Sequence, residues 1–206
     1  PFSKTNPATA YIGRWNTAIE LPTPLIGNAT YPQGASWATK TVSSAGIVNT
    51  TARLADGTSI THSTGVAADG KHALHVMLYN NNGSIQGWQT LNSTTSTSTG
   101  SLDWMKTMVG GRNYSAGFLR HDLNCIGGKY TPPTPGNLVF GIAPGADNAL
   151  FSFTQGGLAS PYSQVFTVGT GNRLSFPTGS ANPYKITATM DVNTGIITGS
   201  GTAMDY

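Results

Sequence analysis

Few residues in this 206-residue chain have the type and spacing to do chemistry. Histidines stand at 62, 72, 75 and 121. His72 and His75 are three apart, which puts them on opposite faces of a strand, whereas a metal pair needs a spacing of two on a strand or four on a helix. They read as polar residues at a strand end. His121-Asp122 precedes Cys125, the single cysteine, and the three have the residue types of a Cys/His nucleophile. That chemistry also needs convergence in space and something that lowers the thiol pKa. Without them, a lone cysteine is a small buried hydrophobe. Gly199-Ser200-Gly201 lacks the spacing of a G-x-S-x-G nucleophile elbow. Paired carboxylates for glycoside hydrolysis are hard to find, because Glu20 is the one Glu and the Asp residues mostly occupy turn positions. Asp147-Asn148 and Asp191-Val192-Asn193 are too sparse for a calcium loop. The chain therefore reads as a non-enzyme, with no catalytic residue, no cofactor site and no metal site.

The aromatic residues offer a second chemistry. Trp15, Trp37, Trp88 and Trp104, with eight Tyr, could present flat faces to pyranose rings, flanked by Asn80, Asn81 and Asn82. Trp88 lies two residues from Gln86 on one strand face, and Trp88 and Trp37 are the candidates for glycan stacking. The competing role for any of the four is core filling. Sequons at Asn28, Asn49, Asn82, Asn92 and Asn113 matter only in a host that glycosylates.

Composition bounds the elements that must carry such residues. Only 9% of residues are charged, against roughly 25% in ordinary soluble domains. Thr, Ser, Asn and Gly supply the polar surface instead, which fits a secreted or cell-surface protein. The net charge of +3 comes from 11 basic and 8 acidic residues. No basic cluster interleaves with aromatics, so no nucleic-acid partner is expected. The apolar runs, such as Leu74–Tyr79, are too short to span a bilayer, so no membrane insertion is expected. One cysteine allows no internal disulfide. A chain that begins at Pro1 without a leader reads as a mature or excised fragment.

The backbone punctuation predicts an all-β fold. Asp56-Gly57, Asp69-Gly70 and Asn82-Gly83 read as type I′ hairpin dipeptides, and a further turn falls at Ser44-Ala45-Gly46. Strands are predicted over Trp37–Val42, Ile47–Leu54, Thr58–Val66, His72–Tyr79 and Ser84–Leu91, forming an antiparallel meander. Asn92–Gly100 is almost wholly Ser and Thr and reads as a loop. The Trp104–Met108 segment is the one place where a helical turn could fit. Tyr184, Ile186, Ala188 and Met190 alternate with polar residues, the period of a half-buried strand. Ala38-Thr39-x-x-Val42-Ser43-Ser44-Ala45-Gly46-Ile47-Val48 is echoed by Ala188-Thr189-x-x-Val192-Asn193-Thr194-Gly195-Ile196-Ile197. Gly13-Arg14-Trp15 is likewise echoed by Gly128-Lys129-Tyr130. The expected organisation is an N-terminal arm over 1–12, a first lobe over 13–91, a Ser/Thr-rich linker and connecting segment over 92–126 and a second lobe over 127–206. The lobes would be barrel- or sandwich-like, with a possible internal duplication.

A set of motifs carries a family resemblance. They are Ala52-Arg53-Leu54-Ala55-Asp56-Gly57-Thr58, Leu78-Tyr79, Gly83-Ser84-Ile85-x-Gly87-Trp88, Leu102-x-Trp104, Tyr114-x-x-Gly117-Phe118, Gly128-x-Tyr130 and Phe153-x-x-Gly156-Gly157-Leu158. Together these resemble the C-terminal β modules of large secreted or surface proteins of verrucomicrobial and related bacteria, over roughly residues 10–200. Such modules typically follow Ig-like or other extracellular repeats. The motifs are turn glycines and packing aromatics, so the resemblance implies a family without a chemistry. Its members continue past the Gly195–Gly201 hairpin with another strand pair, which this chain lacks.

After the second echo only a few residues remain before Tyr206, so the second lobe is expected to lack closing strands. An unpaired sheet edge is a template for another strand. The expected function is thus an extracellular structural subunit that joins others by strand addition into a fibre, sheath or surface matrix. Pro1, Phe2, Ala8, Ala10 and Ile12 of the arm are the candidate subunit contacts, and the partner is a homopolymer of the same chain. The alternative is a carbohydrate-binding or adhesion module, with polysaccharide as its partner, acting as a monomer through Trp88 and Trp37.

Overall fold

The computed structural model describes residues 2–108, 114–154 and 160–202. The chain is all-β and antiparallel and divides into two units, residues 1–130 and 131–206.

The first unit is a meander. Its strands are β1 (Gly13–Glu20), β2 (Ser36–Val42), β3 (Ile47–Arg53), β4 (Ser59–Gly65), β5 (Lys71–Leu78), β6 (Gly83–Asn92), β7 (Thr97–Lys106) and β8 (Phe118–Tyr130). The order in the sheet is β4-β3-β2-β1-β8-β7-β6-β5. Its two end strands, β4 and β5, lie against each other without a hydrogen-bonded ladder, so the sheet curls into a nearly closed barrel with one seam. Strict alternation drives this closure. On β2, Ser36, Ala38, Lys40 and Val42 are buried; on β3, Val48, Thr50 and Ala52 are. Each strand thereby turns one face to a common interior.

The five strands expected between residues 37 and 91 are present within a residue or two of their expected ends. The turns differ from the type I′ expectation. At Asp56-Gly57, Gly57 N–H donates to the Leu54 carbonyl and Asp56 Oδ1 accepts from the Thr58 amide. The three-residue turn at Asp69-Gly70 repeats this geometry, with Gly70 at φ +83°. There a Cβ would also lie 2.0 Å from the Leu91 carbonyl oxygen, so only glycine fits. At Asn82-Gly83 the left-handed residues are Tyr79, Asn80 and Asn81. Gly83 is needed for a different reason: a Cβ would lie 2.3 Å from the Met105 carbonyl oxygen.

The organisation expected between lobes needs correction. The 92–126 stretch is not a linker, because β7 and most of β8 lie within it and close the barrel against β1 and β6. Within the Ser/Thr run, residues 93–96 form a turn and 97–100 fold as strand, because Thr is a good strand former and both neighbours offer ladder partners. The Trp104–Met108 segment begins on β7, not in a helical turn. The second lobe does not begin at 127. Gly128-Lys129-Tyr130 ends β8, where Arg14 pairs with Tyr130 and Trp15 with Lys129. That echo thus joins two neighbouring strands of one barrel.

The second unit holds β9 (Ala149–Phe153), β10 (Tyr162–Val168), β11 (Leu174–Ser175), β12 (Thr187–Asp191) and β13 (Ile196–Ser200). β10 pairs with β9 and β11, and β12 pairs with β13. The hairpin echo holds locally, since β2–β3 and β12–β13 are both antiparallel hairpins ending on a left-handed glycine, Gly46 or Gly195. The units around them have different strand numbers and orders. A small core of Val139, Phe166 and Val168, with Phe151, Phe176 and Met190 packed against it, holds the second unit.

Candidate functional site

Three places in the fold could bind something, and the sequence pointed to only part of each. The first is the N-terminal segment. It is not a free arm. Ala8 is 1% exposed and Tyr11 is buried, both packed with Trp15, Val42, Val48, Val66 and Leu91 at one end of the barrel. Phe2 packs against this cluster and stands edge-on to Tyr11. The Ala8 amide donates to the Ser44 carbonyl, and the Tyr11 hydroxyl donates to the Ala68 carbonyl. Ala10 and Ile12 are exposed, and Pro1 lies outside the described residues. Of the proposed subunit contacts, Phe2 and Ala8 are therefore occupied in closing their own barrel, together with Tyr11, and that packing keeps their apolar surface from water.

The second place is the outer wall of the barrel. Trp15 and Trp104 are core residues, while Trp37 and Trp88 are 42% and 65% exposed. They do not share a platform. Trp37 is on β2 and Trp88 on β6, separated in the sheet by β1, β8 and β7, or about 19 Å along the wall at the ladder spacing. Around an eight-stranded barrel that separation turns the two indoles away from each other. Trp88 lies in a row with Ala73, Ser101 and Asn124.

The interior is not uniformly apolar. Between the Trp15 cluster and a larger one built from Ile19, Ala38, Leu54, Leu74, Ile85, Leu102 and Trp104 runs a belt of buried polar groups. Thr17, Lys40, Thr50, His72, Gln89 and Ser98 belong to it. Lys40 donates to Thr17 Oγ1 at 3.0 Å and to Ser98 Oγ at 3.1 Å, and Thr17 donates to Ser98 Oγ. Burial lowers the Lys40 amine to about 8. Burial, then the Lys40 charge, lowers His72 to about 4.

The structure places most of the residues first considered for chemistry. His72 and His75 take opposite faces of β5, one buried and one exposed. Cys125 is 2% exposed in the barrel core, and burial pushes its thiol up to about 11, the reverse of what a nucleophile needs. The His121 side chain lies outside the described residues. Asp191 Oδ1 accepts from the Asn193 amide, and Asn148 bridges the Ala143 and Val168 backbones, so both acidic turns fold the chain. Among the described residues no group of three or more His, Cys, Asp or Glu could hold a metal ion, and no helix is long and apolar enough to cross a membrane.

The third place lies in the second unit, where a cleft of about 400 Å³ opens among Phe151, Phe153, Tyr162, Tyr184, Ile186 and Ile197. Aromatic contacts order its floor. Phe151 stacks on Phe166 at 4.4 Å, Phe153 on Tyr162 at 6.3 Å, and Tyr184 meets Tyr162 edge-on at 4.0 Å. The Tyr162 hydroxyl is engaged by Gln164 Oε1, and Gln164 Nε2 donates to the Val165 and Ala181 carbonyls. β9 and β13 supply residues to the cleft, and each is paired along one side only among the described residues. Neither carries a charge or a proline: they read Ala-Leu-Phe-Ser-Phe and Ile-Ile-Thr-Gly-Ser. Such residues are the usual guards of an exposed edge. Gly156, Gly157 and Leu158 of the family-like motif lie outside the described residues.

No protein-family model and no curated protein matches the chain. Any functional reading therefore rests on the geometry alone. The cleft was missed in the sequence because its walls come from segments up to fifty residues apart. The interior belt left one sign: Lys40 shares the period-two face of Ala38 and Val42.

Proposed function

We propose that the chain is a non-catalytic structural module, the subunit of an extracellular fibre, sheath or surface matrix, joined to its neighbours by strand addition at the second unit. The observation that carries this reading is the pair of uncharged edge strands, β9 and β13, beside one apolar cleft. The occupant is an edge strand of a second copy. Main-chain hydrogen bonds along the edge give affinity, and alternate side chains entering the aromatic floor set the register. Because β9 and β13 are different edges, pairing one with the other in the next copy is head-to-tail and propagates, whereas a single self-pairing edge would stop at a dimer. The N-terminal segment is not the donor in this scheme. The low charge of the chain agrees with a surface that associates readily.

Ile197→Lys on β13 tests it, since an inward or edge lysine blocks strand pairing. Light scattering across a concentration series should give the natural chain a mass several-fold above the 21.4 kDa monomer. Ile197→Lys should stay monomeric with an unchanged β-type circular dichroism spectrum. Assembly unaffected by the substitution would overturn the proposed edge. A natural chain that is monomeric throughout, with glycan binding abolished by Trp88→Ala, would instead favour the monomeric carbohydrate-binding module, for which the exposed Trp88 is the motivating observation.

A further inference from the structure

Lys40 is 0% exposed, and no ion pair reaches it among the described residues. No Asp or Glu is buried among the described residues. The one other ionisable group that shifts Lys40 is the Cys125 thiol, whose raised pKa keeps it neutral at physiological pH. With a pKa lowered only to about 8, the amine stays mainly protonated near neutrality. A desolvated cation of this kind is costly unless a partner of opposite sign joins it. Thr17 and Ser98 take two of its three N–H groups.

The belt also holds polar atoms with nothing to bond. Gln89 and His72 are 1% and 2% exposed and sit opposite each other on β6 and β5. Gln89 Oε1 and both ring nitrogens of His72 find no hydrogen-bond partner. The Gly70 carbonyl favours a protonated His72 without reaching hydrogen-bond geometry. His72 on β5 and Lys40 on β2 both take buried, interior-facing positions of their strands, in the belt between the two clusters. Gly100, the register partner of Gln89 on β7, has no side chain there; a Cβ would lie 2.8 Å from Gln89 Cγ.

We propose that the barrel interior binds one small monovalent anion of the halide class, as the counter-ion of Lys40, with the Gln89 amide and a His72 N–H as its other donors. The O and NH₂ ends of a glutamine amide are nearly isosteric, so the side chain fits its place in either orientation. Turned over, Gln89 directs its NH₂ at the anion. A halide suits a belt one side-chain layer deep between two packed clusters; a larger, more highly charged oxyanion does not. The seam gives a route in. β4 and β5 are the one pair of adjacent barrel strands without a ladder, and His62 stands on the interior face of β4, partly exposed and with Nδ1 unpartnered.

The test is bromide diffraction on crystals of the natural chain, with melting in sodium bromide against sodium gluconate of equal ionic strength. An anomalous peak beside Lys40 Nζ is expected, with a melting temperature that rises saturably by roughly 5 °C in bromide. Lys40→Met should fold, since exchanging a buried unpaired charge for an apolar side chain is neutral or stabilising, and should lose the bromide-specific rise. Water density alone beside Lys40, or an equal rise in Lys40→Met, would overturn the assignment. The diffraction result decides even if the variant does not fold.

Discussion

Trp15→Ala should lower the unfolding free energy by about 3–5 kcal/mol, the range for removing a fully buried indole. Trp15 is 0% exposed and ties two parts of the first unit together. Its ring fills the cluster formed by Ala8, Tyr11, Val42, Val48, Val66 and Leu91. Its Nε1–H donates to the Tyr11 carbonyl at 2.9 Å, which anchors the N-terminal segment over the barrel end. The Lys129 ammonium stands 5.8 Å from the ring centroid. Truncation therefore opens a cavity, orphans a carbonyl and loosens the segment that covers it. Urea unfolding of the variant measures the loss. Trp88→Ala is the control: the same residue type, 65% exposed, should change stability by no more than about 0.5 kcal/mol. Similar losses at both positions would mean that the N-terminal segment does not close the barrel.

Stability should fall by about 2–3 kcal/mol between pH 7 and pH 4.5, through His72 alone. Its folded-state pKa is lowered to about 4 from the ordinary 6.5 by burial, then by Lys40. The unfolded chain thus binds the proton first as pH drops, so protonation favours unfolding. The loss begins below about 6.5, grows as pH falls and levels off below about 4. Lys40 and His62 are the titratable groups that act on it. His62 is partly exposed and lowered in the same direction, so it adds to the slope only weakly. Unfolding in urea at a series of pH values, in halide-free buffer, gives the slope, and His72→Leu should remove most of it. A His72→Leu slope equal to that of the natural chain would place His72 in contact with water.

How much of this was legible follows from where each signal resides. The strands of the first unit from β2 to β6 carry their own evidence: Asp-Gly turns at fixed intervals and a period of two between them. β7 does not. Its interior face at Ser98 and Gly100 looks toward the polar belt, so Ser/Thr composition hides a strand with the same alternation as its neighbours. The N-terminal segment was misread because its partners Val42, Val48, Val66 and Leu91 come from four distant places in the sequence. Asp56 shows the reverse. Its turn was visible, but its second role was not: Oδ2 accepts from the Tyr79 hydroxyl at 2.6 Å, and that hydroxyl accepts from Trp104 Nε1. In the second unit, β12 was readable from the period of two over residues 184–190. The aromatic cleft beside the open edges was not, since it depends on how β9, β10 and the β12–β13 hairpin turn toward one another.

Amide hydrogen exchange resolved along the chain, at low and high protein concentration, bears most directly on assembly through the second unit. Amides of Ala149–Phe153 and Ile196–Ser200 should become protected as concentration rises, while those of β1 and β8, already paired on both sides, should not change. Exchange at β9 and β13 that stays the same across the series would contradict strand addition there.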